Sequence, residues 1–200
     1  MSESQSTLVL FDFDGTLSSK DSFLDFVQFA VGKRGYYLGL LQLSPMLAAY
    51  KLRLISNHVA KERVISYFFA GWSVEDFQRV ADNYSTERID AIIRPLARKE
   101  IRRHQERGHR VVVVSASIES WLSKWCEKHD LELIATRLEI QNGSLTGRFS
   151  TKNCYGAEKV SRIRERYDLT NFNIIYVYGD SRGDTEMLRI ASKSFYRHFR

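Results

Sequence analysis

Asp12 and Asp14 follow the first apolar run of the sequence, residues 7–11 (TLVLF). The β-branched and aromatic residues of that run predict a short buried strand. Because a single residue separates the two aspartates, an extended chain directs both carboxylates to one side, and Gly15 lets the backbone turn away beyond them. Buried carboxylates are costly unless a cation or hydrogen-bond donors hold them. One carboxylate of such a pair can act as a nucleophile or a metal ligand while the other transfers protons.

Two other apolar runs of the chain also end in polar residues. Residues 111–114 (VVVV) lead into Ser115, and residues 174–178 (IIYVY) lead into Asp180 and Asp184. The carboxyl ends of parallel strands lie at one edge of a sheet, which is where ligands bind in open α/β folds. The sequence therefore predicts that these residues share one site with the first pair of aspartates.

The elements that must position this site alternate between strands and helices. This alternation predicts an α/β fold with a Rossmann-like parallel sheet and right-handed crossovers. Residues 20–87 differ, because helical patterns follow one another there without an intervening strand. We therefore expect an inserted all-helical cap at 20–87 and a catalytic core made of 1–19 and 88–200. Within the core, Asn142-Gly143 is a strong hairpin signal.

The composition allows a full hydrophobic core and favours anionic ligands. The 200 residues are 44% hydrophobic and carry a formal net charge of +6, which suits an anionic ligand or an anionic membrane surface. The basic residues are spread along the chain without a recognition motif for nucleic acid, so we expect no nucleic acid partner. No feature indicates an obligate protein partner.

The two cysteines bear on the cellular compartment. Cys126 and Cys154 lack the spacing of a zinc site or a disulfide framework, which is typical of reduced thiols in a cytoplasmic protein. The first seven residues contain no basic residue, so we expect no signal peptide. These observations predict a cytoplasmic location.

Residues 12–16 (DFDGT) resemble the first motif of the haloacid dehalogenase (HAD) superfamily. Ser115 after a strand, Lys159 in a G-x-x-K context and residues 179–184 (GDSRGD) are similar to the other three motifs of that family. All four occur in order across nearly the whole chain. The resemblance implies a Rossmann-like core with a C1-type helical cap and a Mg²⁺-dependent phosphatase that forms an aspartyl-phosphate. The helical insertion resembles subfamily IB, which contains phosphoserine phosphatase and phosphatidylglycerophosphatase C-like proteins.

The resemblance also implies a role for each motif residue. Asp12 would be the nucleophile, and Asp14 would protonate the leaving group and then activate water. Lys159 would neutralise charge on the phosphate and on Asp12. The predicted phosphate-binding residues are Gly15, Ser115 and Ala116. The predicted Mg²⁺ ligands are the carboxylates of Asp12 and Asp180 and the main-chain carbonyl of Asp14, with Asp184 holding a metal-bound water.

Other reactions remain open at this stage. An acid at Asp14 favours a phosphatase, because the dehalogenases and transport ATPases of the family lack it. A phosphotransferase or phosphomutase would use the same Asp12 and pass the phosphoryl group to an acceptor. A non-catalytic phosphate-binding module would keep Ser115 and Lys159 and tolerate loss of the nucleophile.

The predicted substrate is the phosphomonoester of a small molecule or of a lipid head group, with phosphoserine as an alternative. Asp21 and Arg63 lie near the positions where phosphoserine phosphatases place an acid and an arginine for the substrate's amine and carboxylate. Helix capping explains Asp21 equally well, and a solvated helix face explains Arg63. Two departures from those enzymes are Ala116-Ser117, where they usually have glycines, and Gly183, where they carry an asparagine.

An uncharged segment at 35–50 allows two interpretations. It is shorter than the ~20 apolar residues that span a bilayer. Its apolar residues, at 36–50, can pack within the helical bundle of the cap, or they can rest on an anionic bilayer beside flanking cations. The second interpretation implies peripheral membrane contact on the cytoplasmic face. The flanking cations are Lys33, Arg34, Lys51 and Arg53.

Overall fold

A five-stranded parallel sheet organises residues 6–200, which are the residues that the computed structural model describes. Its strands, in spatial order, are β3, β2, β1, β6 and β7. Every neighbouring pair is parallel, so all five carboxyl ends lie at one edge. The α/β, Rossmann-like prediction is confirmed. The bounds are β1 Thr7–Phe11, β2 Arg110–Ile118, β3 Glu132–Thr136, β6 Ile174–Gly179 and β7 Lys193–Tyr196.

Helices follow one another between β1 and β2, as the sequence predicts. They are α1 Ser22–Gln42, α2 Ser44–Lys51, α3 Asn57–Phe69, α4 Val74–Glu87, α5 Ile89–Ile92 and α6 Pro95–Glu106. The division into a cap at 20–87 and a core at 1–19 and 88–200 stays a proposal, and residues 1–5 of that core lie outside the described part of the chain.

The remaining elements complete the chain after β2. Helix α7 is Glu119–Lys128, α8 is Ala157–Arg166 and α9 is Thr185–Arg189. An antiparallel hairpin joins β4 (Leu138–Gln141) to β5 (Ser144–Phe149). Its turn has positive φ at both Asn142 and Gly143, which is the two-residue hairpin geometry that the Asn-Gly pair predicts.

Strand β1 is buried on both faces because its side chains alternate between two hydrophobic clusters. Phe11 faces a cluster that includes Phe26 of α1 and Trp121 of α7. Leu10 faces a second cluster that includes Ile163 of α8. The first cluster is shared by the sheet and the inserted helices, so these helices are packed directly against the part of the fold that carries the site.

Two elements differ from the boundaries that the sequence suggests. Residues 32–35 predict a helix end, but α1 continues to Gln42 after a kink at Gly32, where φ is 71°. The second half of α1 packs closely on α3, since a Cβ atom on Gly39 would lie 2.2 Å from the Phe68 ring. Strand β2 continues past Ser115 to Ile118 with an irregular register, so α7 begins at Glu119.

No helix within residues 6–200 combines the length and apolar character that crossing a bilayer requires.

Candidate active site

Asp12 and Asp14 occupy a tight turn at the carboxyl end of β1. The Asp12 amide donates to the carbonyl of Tyr178 at 2.9 Å, which extends the pairing of β1 with β6 by one residue. Gly15 then adopts a φ of 83°, and a Cβ atom at that position would lie 2.5 Å from a carboxylate oxygen of Asp180. A left-handed conformation together with this close approach requires glycine at residue 15.

Lys159 is buried in the first turn of α8 and donates three hydrogen bonds. Its Nζ lies 2.6 Å from Asp12 Oδ1, 2.7 Å from Asp184 Oδ1 and 2.9 Å from the carbonyl of Val114. Burial opposes the charge on this amine, but the two carboxylates outweigh burial and raise the pKa of Lys159 above its ordinary value. The amine therefore stays protonated between β1, β2 and the loop after β6.

The site holds more negative than positive charge around Asp12. Burial is the main cause that raises the pKa of Asp12 to about 7; Lys159 opposes it, and repulsion from Asp184 and Asp14 adds to it. A raised carboxylate pKa indicates that a further cation beside Asp12 would stabilise its ionised form.

Asp12, Asp180 and Asp184 form a buried acidic cluster, in which each residue offers a carboxylate oxygen within 4.8 Å of the others. Oxygen ligands of this kind are what Mg²⁺ prefers, so the residues present fit the predicted ion. Asp184 is held by the amides of Asp180 and Ser181, 3.1 and 3.0 Å from its Oδ2. Asp180 accepts a hydrogen bond from the guanidinium of Arg200, a contact that sequence reasoning did not find.

Asp14 has partners of a different kind from those of Asp12. Its Oδ1 accepts from the amide of Ser22 at 2.7 Å, and its Oδ2 accepts from the hydroxyl of Ser117 at 2.6 Å. The two serine hydroxyls lie 2.9 Å apart. Neutral donors thus fix the orientation of Asp14. Sequence reasoning missed both serines, since it considered Ser117 only as a departure from glycine and gave Ser22 no role in the site.

A cavity of about 200 Å³ joins these groups to the inserted helices. Of the predicted site residues, it is lined by Asp12, Asp14, Asp21, Ala116, Lys159 and Asp184. Ser115 is fully buried beside the cavity, and its hydroxyl accepts from the amide of Ser117 at 3.0 Å. Gly15 and Asp180 lie behind the lining residues and contact each other.

The structure does not bring Arg63 to the cavity; it brings Lys61 instead. Arg63 is exposed on α3, whereas Lys61 and Asn57 both line the cavity. Residues four apart share one face of a helix, and residue 63 lies about 200° around the axis from residue 61. The sequence did contain a signal for Lys61, because its spacing of four residues from Asn57 places both side chains on one face of the helix.

The Lys61 side chain extends from α3 to the end of β2. Its Nζ donates to the carbonyl of Ala116 at 2.9 Å and lies 5.1 Å from the centre of the Phe23 ring. Burial lowers the pKa of Lys61, and the charges of Asp14 and Asp21 oppose that shift. Asp21 caps α1 by accepting from the amide of Leu24 at 3.1 Å, and burial followed by repulsion from Asp14 raises its pKa.

Tyr155 and Gly183 form the opposite wall of the cavity. A Cβ atom on Gly183 would lie 2.4 Å from the Tyr155 ring. This contact explains why residue 183 is a glycine and not an asparagine, because the tyrosine ring occupies the space that a larger side chain would need. Asn57 completes this side of the cavity: it donates to the hydroxyl of Tyr50 at 2.9 Å and accepts from Asn153 at 2.8 Å.

Comparisons with known proteins give a consistent result. A family model of haloacid dehalogenase-like hydrolases matches residues 9–189. Protein CicA of Caulobacter vibrioides is 34% identical over 195 residues, covering 96% of this chain and 86% of CicA. A probable phosphatase of Mycobacterium tuberculosis is 29% identical over 197 residues, covering 91% of this chain and 65% of that protein. A substrate-bound phosphoserine phosphatase structure has a TM-score of 0.69 at 20% identity, with 96% and 85% of the two chains covered.

Proposed function

The chain belongs to the haloacid dehalogenase-like hydrolase family, and from this premise we propose that it is a phosphatase that hydrolyses a phosphomonoester through an aspartyl-phosphate on Asp12. The supporting observation is the unlike environment of two neighbouring carboxylates in one cavity. Asp12 contacts the charged amine of Lys159, whereas Asp14 contacts only neutral donors among the described residues. A nucleophile and a proton-transfer group need such different surroundings.

The proposed reaction has two steps. In the first, an Asp12 oxygen forms a bond to phosphorus, the bond from phosphorus to the leaving oxygen breaks, and Asp14 gives its proton to that oxygen. In the second, Asp14 takes a proton from water, the water oxygen attacks phosphorus, and the bond to Asp12 breaks. Inorganic phosphate leaves and both carboxylates return to their initial states. One acid thus serves both half-reactions.

Lys159 and the backbone supply the remaining electrostatic support. Lys159 offsets the charge of Asp12 and of an adjacent phosphate, and the main chain at Ala116, which lines the cavity, would offer a donor to a phosphate oxygen. The amide of Gly15 instead donates to the hydroxyl of Ser18 at 3.3 Å. Mg²⁺, which we propose as the cofactor, would be held by Asp12, Asp180 and Asp184 and would supply charge neutralisation at the phosphoryl group. The carbonyl of Asp14 remains a proposed fourth ligand.

For the substrate we propose a small phosphomonoester whose leaving group contacts Asp21 and Lys61. These residues place an acid and a cation in the same cavity as Asp14. An amine and a carboxylate on the substrate would complement that pair, so phosphoserine is a specific candidate. A lipid head-group phosphate is the second candidate, because Tyr50, an exposed aromatic residue of the inserted helices, accepts a hydrogen bond from Asn57, which lines the cavity.

We propose a cytoplasmic location for the protein. Cys126 and Cys154 are both buried and unpaired. Burial raises the pKa of Cys154 to about 11, and it raises that of Cys126 as well. Buried, protonated thiols without a disulfide partner suit a reducing compartment.

The test is the substitution Asp12→Asn, assayed with p-nitrophenyl phosphate and Mg²⁺. We expect turnover to fall by at least about 10³-fold, since the nucleophile is lost while the shape of the side chain is kept. Asp82→Asn is the matched control, because Asp82 accepts a hydrogen bond from Gln78 on α4, away from the cavity, and should keep full activity. Chelation by EDTA should remove activity, and added Mg²⁺ should restore it.

Three results would contradict the proposal. Unchanged turnover in Asp12→Asn would exclude the aspartyl-phosphate. In buffer lacking an acceptor, a single stoichiometric burst of p-nitrophenol without release of inorganic phosphate would indicate a phosphotransferase instead, because the phosphoryl group would remain on Asp12. A phosphate-binding module without catalytic activity would show no turnover in either protein.

A further inference from the structure

One surface of the inserted helices exposes large apolar side chains that nothing in residues 6–200 covers. On α1, Arg34, Tyr37, Leu38 and Leu41 are exposed at the spacing i, i+3, i+4 and i+7, which is one helical stripe. Leu38 is 63% exposed and Leu41 is 70% exposed. The opposite side of this helix packs on α3 through Gly39. The stripe is therefore the outer face of a helix whose opposite face already packs against α3.

A second group of exposed leucines follows α2. Leu52 and Leu54 are 71% and 73% exposed, although the chain here is well ordered by backbone hydrogen bonds. The Leu52 amide donates to the carbonyl of Ala48, and the Leu54 amide donates to that of Ala49, both at 2.9 Å. We call the two parts together the basic apolar face. Its members are Lys33, Arg34, Tyr37, Leu38, Leu41, Tyr50, Lys51, Leu52, Arg53 and Leu54.

The charge of this face indicates what covers it. Residues 26–61 contain no aspartate or glutamate. The four cations of the face, Lys33, Arg34, Lys51 and Arg53, are all exposed. Among the ion pairs within residues 6–200, none involves these four. Unpaired cations beside exposed leucines and tyrosines complement a surface that is anionic outside and apolar within.

We propose that the basic apolar face docks on an anionic lipid bilayer, with the leucines in the head-group region and the cations against lipid phosphates. The helices lie on the membrane and do not cross it, in keeping with their length and composition. Tyr50 connects the face to the cavity, because its hydroxyl accepts from Asn57, which lines the cavity. Docking therefore holds the cavity close to the membrane surface, whichever phosphomonoester it hydrolyses.

The experiment is co-sedimentation of the full chain with vesicles of phosphatidylcholine alone and of phosphatidylcholine mixed with phosphatidylglycerol. We expect binding to the anionic vesicles only. The double substitution Leu38→Glu/Leu41→Glu should lower the partition coefficient by at least about 100-fold, since two apolar contacts are lost. Lys51→Gln/Arg53→Gln should lower it by about 30-fold, at the usual contribution of a cation near an anionic surface.

Leu96→Glu is the matched control, because Leu96 is also 61% exposed but lies on α6, outside the face. It should bind like the unsubstituted protein. Circular dichroism checks the fold of each variant; if the glutamate pair unfolds the chain, the Lys51→Gln/Arg53→Gln variant decides the outcome by charge alone.

Three results would overturn the proposal. The first is absence of binding to anionic vesicles, and the second is equal binding by the face variants and the unsubstituted protein. The third is a concentration-dependent dimer, seen by analytical ultracentrifugation without vesicles, that Leu38→Glu/Leu41→Glu dissociates, since a second copy would then cover the face. Turnover of soluble p-nitrophenyl phosphate, measured on the same variants, should be unchanged, so loss of docking is distinguishable from failure of the proposed catalytic mechanism.

Discussion

Two carboxylates that lie two residues apart in the sequence have acquired opposite surroundings in the fold. Asp12 is next to a buried cation and two other acids, whereas a hydroxyl and an amide hold Asp14. An ionised nucleophile is stabilised by nearby positive charge, and a group that exchanges protons needs both protonation states within reach. The difference lies in the neighbouring helices, since Asp12 meets Lys159 of α8 and Asp14 meets Ser22 at the start of α1.

The first prediction at the residue scale compares Lys61 with Arg63 on the same helix. We expect Lys61→Met to raise KM for phosphoserine by about 10- to 100-fold, because an interaction with a charged group contributes about 1.5–3 kcal/mol. Arg63→Met removes the same charge from the exposed side of α3 and should change KM by less than about two-fold. Steady-state kinetics with phosphoserine and with p-nitrophenyl phosphate measure both. Equal KM values for Lys61→Met and the unsubstituted protein would exclude Lys61 from substrate recognition.

Residues of the candidate site differ in how readily the sequence reveals them. Asp12, Asp180 and Asp184 can be predicted because each stands at a fixed distance after an apolar strand. Arg200 cannot, since its contact with Asp180 joins parts of the chain that no spacing rule connects. Lys61 was missed for another reason: choosing between it and Arg63 requires the rotation of α3, which packing determines.

At the scale of elements, the hairpin β4–β5 is joined to α3 by a contact that only glycine allows. A Cβ atom on Gly147 would lie 2.5 Å from the backbone Cα of Ser66 in α3, and Gly147 has a φ of 84°. We expect Gly147→Ala to lower the free energy of unfolding by about 2–4 kcal/mol, through backbone strain and the steric clash together. Urea denaturation measures the change.

Gly143→Ala separates the two causes. Gly143 has a φ of 75°, but no atom lies within 4 Å of the Cβ position. This variant should lose only about 1 kcal/mol, from the left-handed conformation. Equal losses in the two variants would show that the contact between the hairpin and α3 contributes nothing to stability.

The edge strand β3 is protected by two arginines of α8. Arg162 donates to the carbonyl of Ala135 at 2.6 Å, and Arg166 donates to that of Leu133 at 2.9 Å. Unpaired carbonyls on an edge strand invite pairing with another chain, and charged side chains over them discourage it. The sequence places these arginines four residues apart on one helix face, but it does not indicate that they cap a strand.

Elements with strong local signals were predictable, and elements shaped by contact were not. The hairpin at Asn142-Gly143 follows from two residues that tolerate positive φ. The continuation of α1 past Gly32 does not, because a glycine-rich segment normally ends a helix, and the sequence does not reveal that Gly39 packs closely on α3. The irregular end of β2 likewise depends on hydrogen bonds around Ser117.

At the scale of the whole molecule, a buried histidine makes stability depend on pH. His104 of α6 lies behind the sheet, 3.0 Å from the hydroxyl of Tyr178 and 2.8 Å from His109. Burial is the main cause that lowers the pKa of His104 to about 4. Between the ordinary pKa of 6.5 and this value, the unfolded chain takes up a proton that the folded chain does not. The free energy of unfolding should therefore fall as the pH is lowered from about 6.5 to 4.

His104→Asn should weaken this dependence. We expect the slope of the unfolding free energy against pH, measured by urea denaturation at several values in that window, to decrease by up to about 1.4 kcal/mol per pH unit. A slope that His104→Asn does not alter would assign the acid sensitivity to other groups.

The overall architecture was the most predictable level of all. Alternating apolar runs and helices specify a parallel sheet, and the polar residues at the strand ends specify which edge carries the site. The outer surface of the inserted helices was not predictable in the same way. An apolar segment has the same sequence pattern whether it is buried or exposed. The sequence therefore left open whether residues 36–50 pack within the helical bundle or rest on a bilayer.

The aromatic contact between α1 and α7 also limits how the molecule can open. Phe26 stacks on Trp121 with 4.3 Å between ring centres, and the hydroxyl of Ser85 in α4 accepts from the amide of Trp125 at 2.8 Å. A hinge motion of all the inserted helices together would break these two contacts and expose the rings of Phe26 and Trp121 to water. We therefore expect a reactant to enter and a product to leave through small rotations of Tyr155 and Asn57, which line the cavity. A large and slow hinge motion is then not required for turnover.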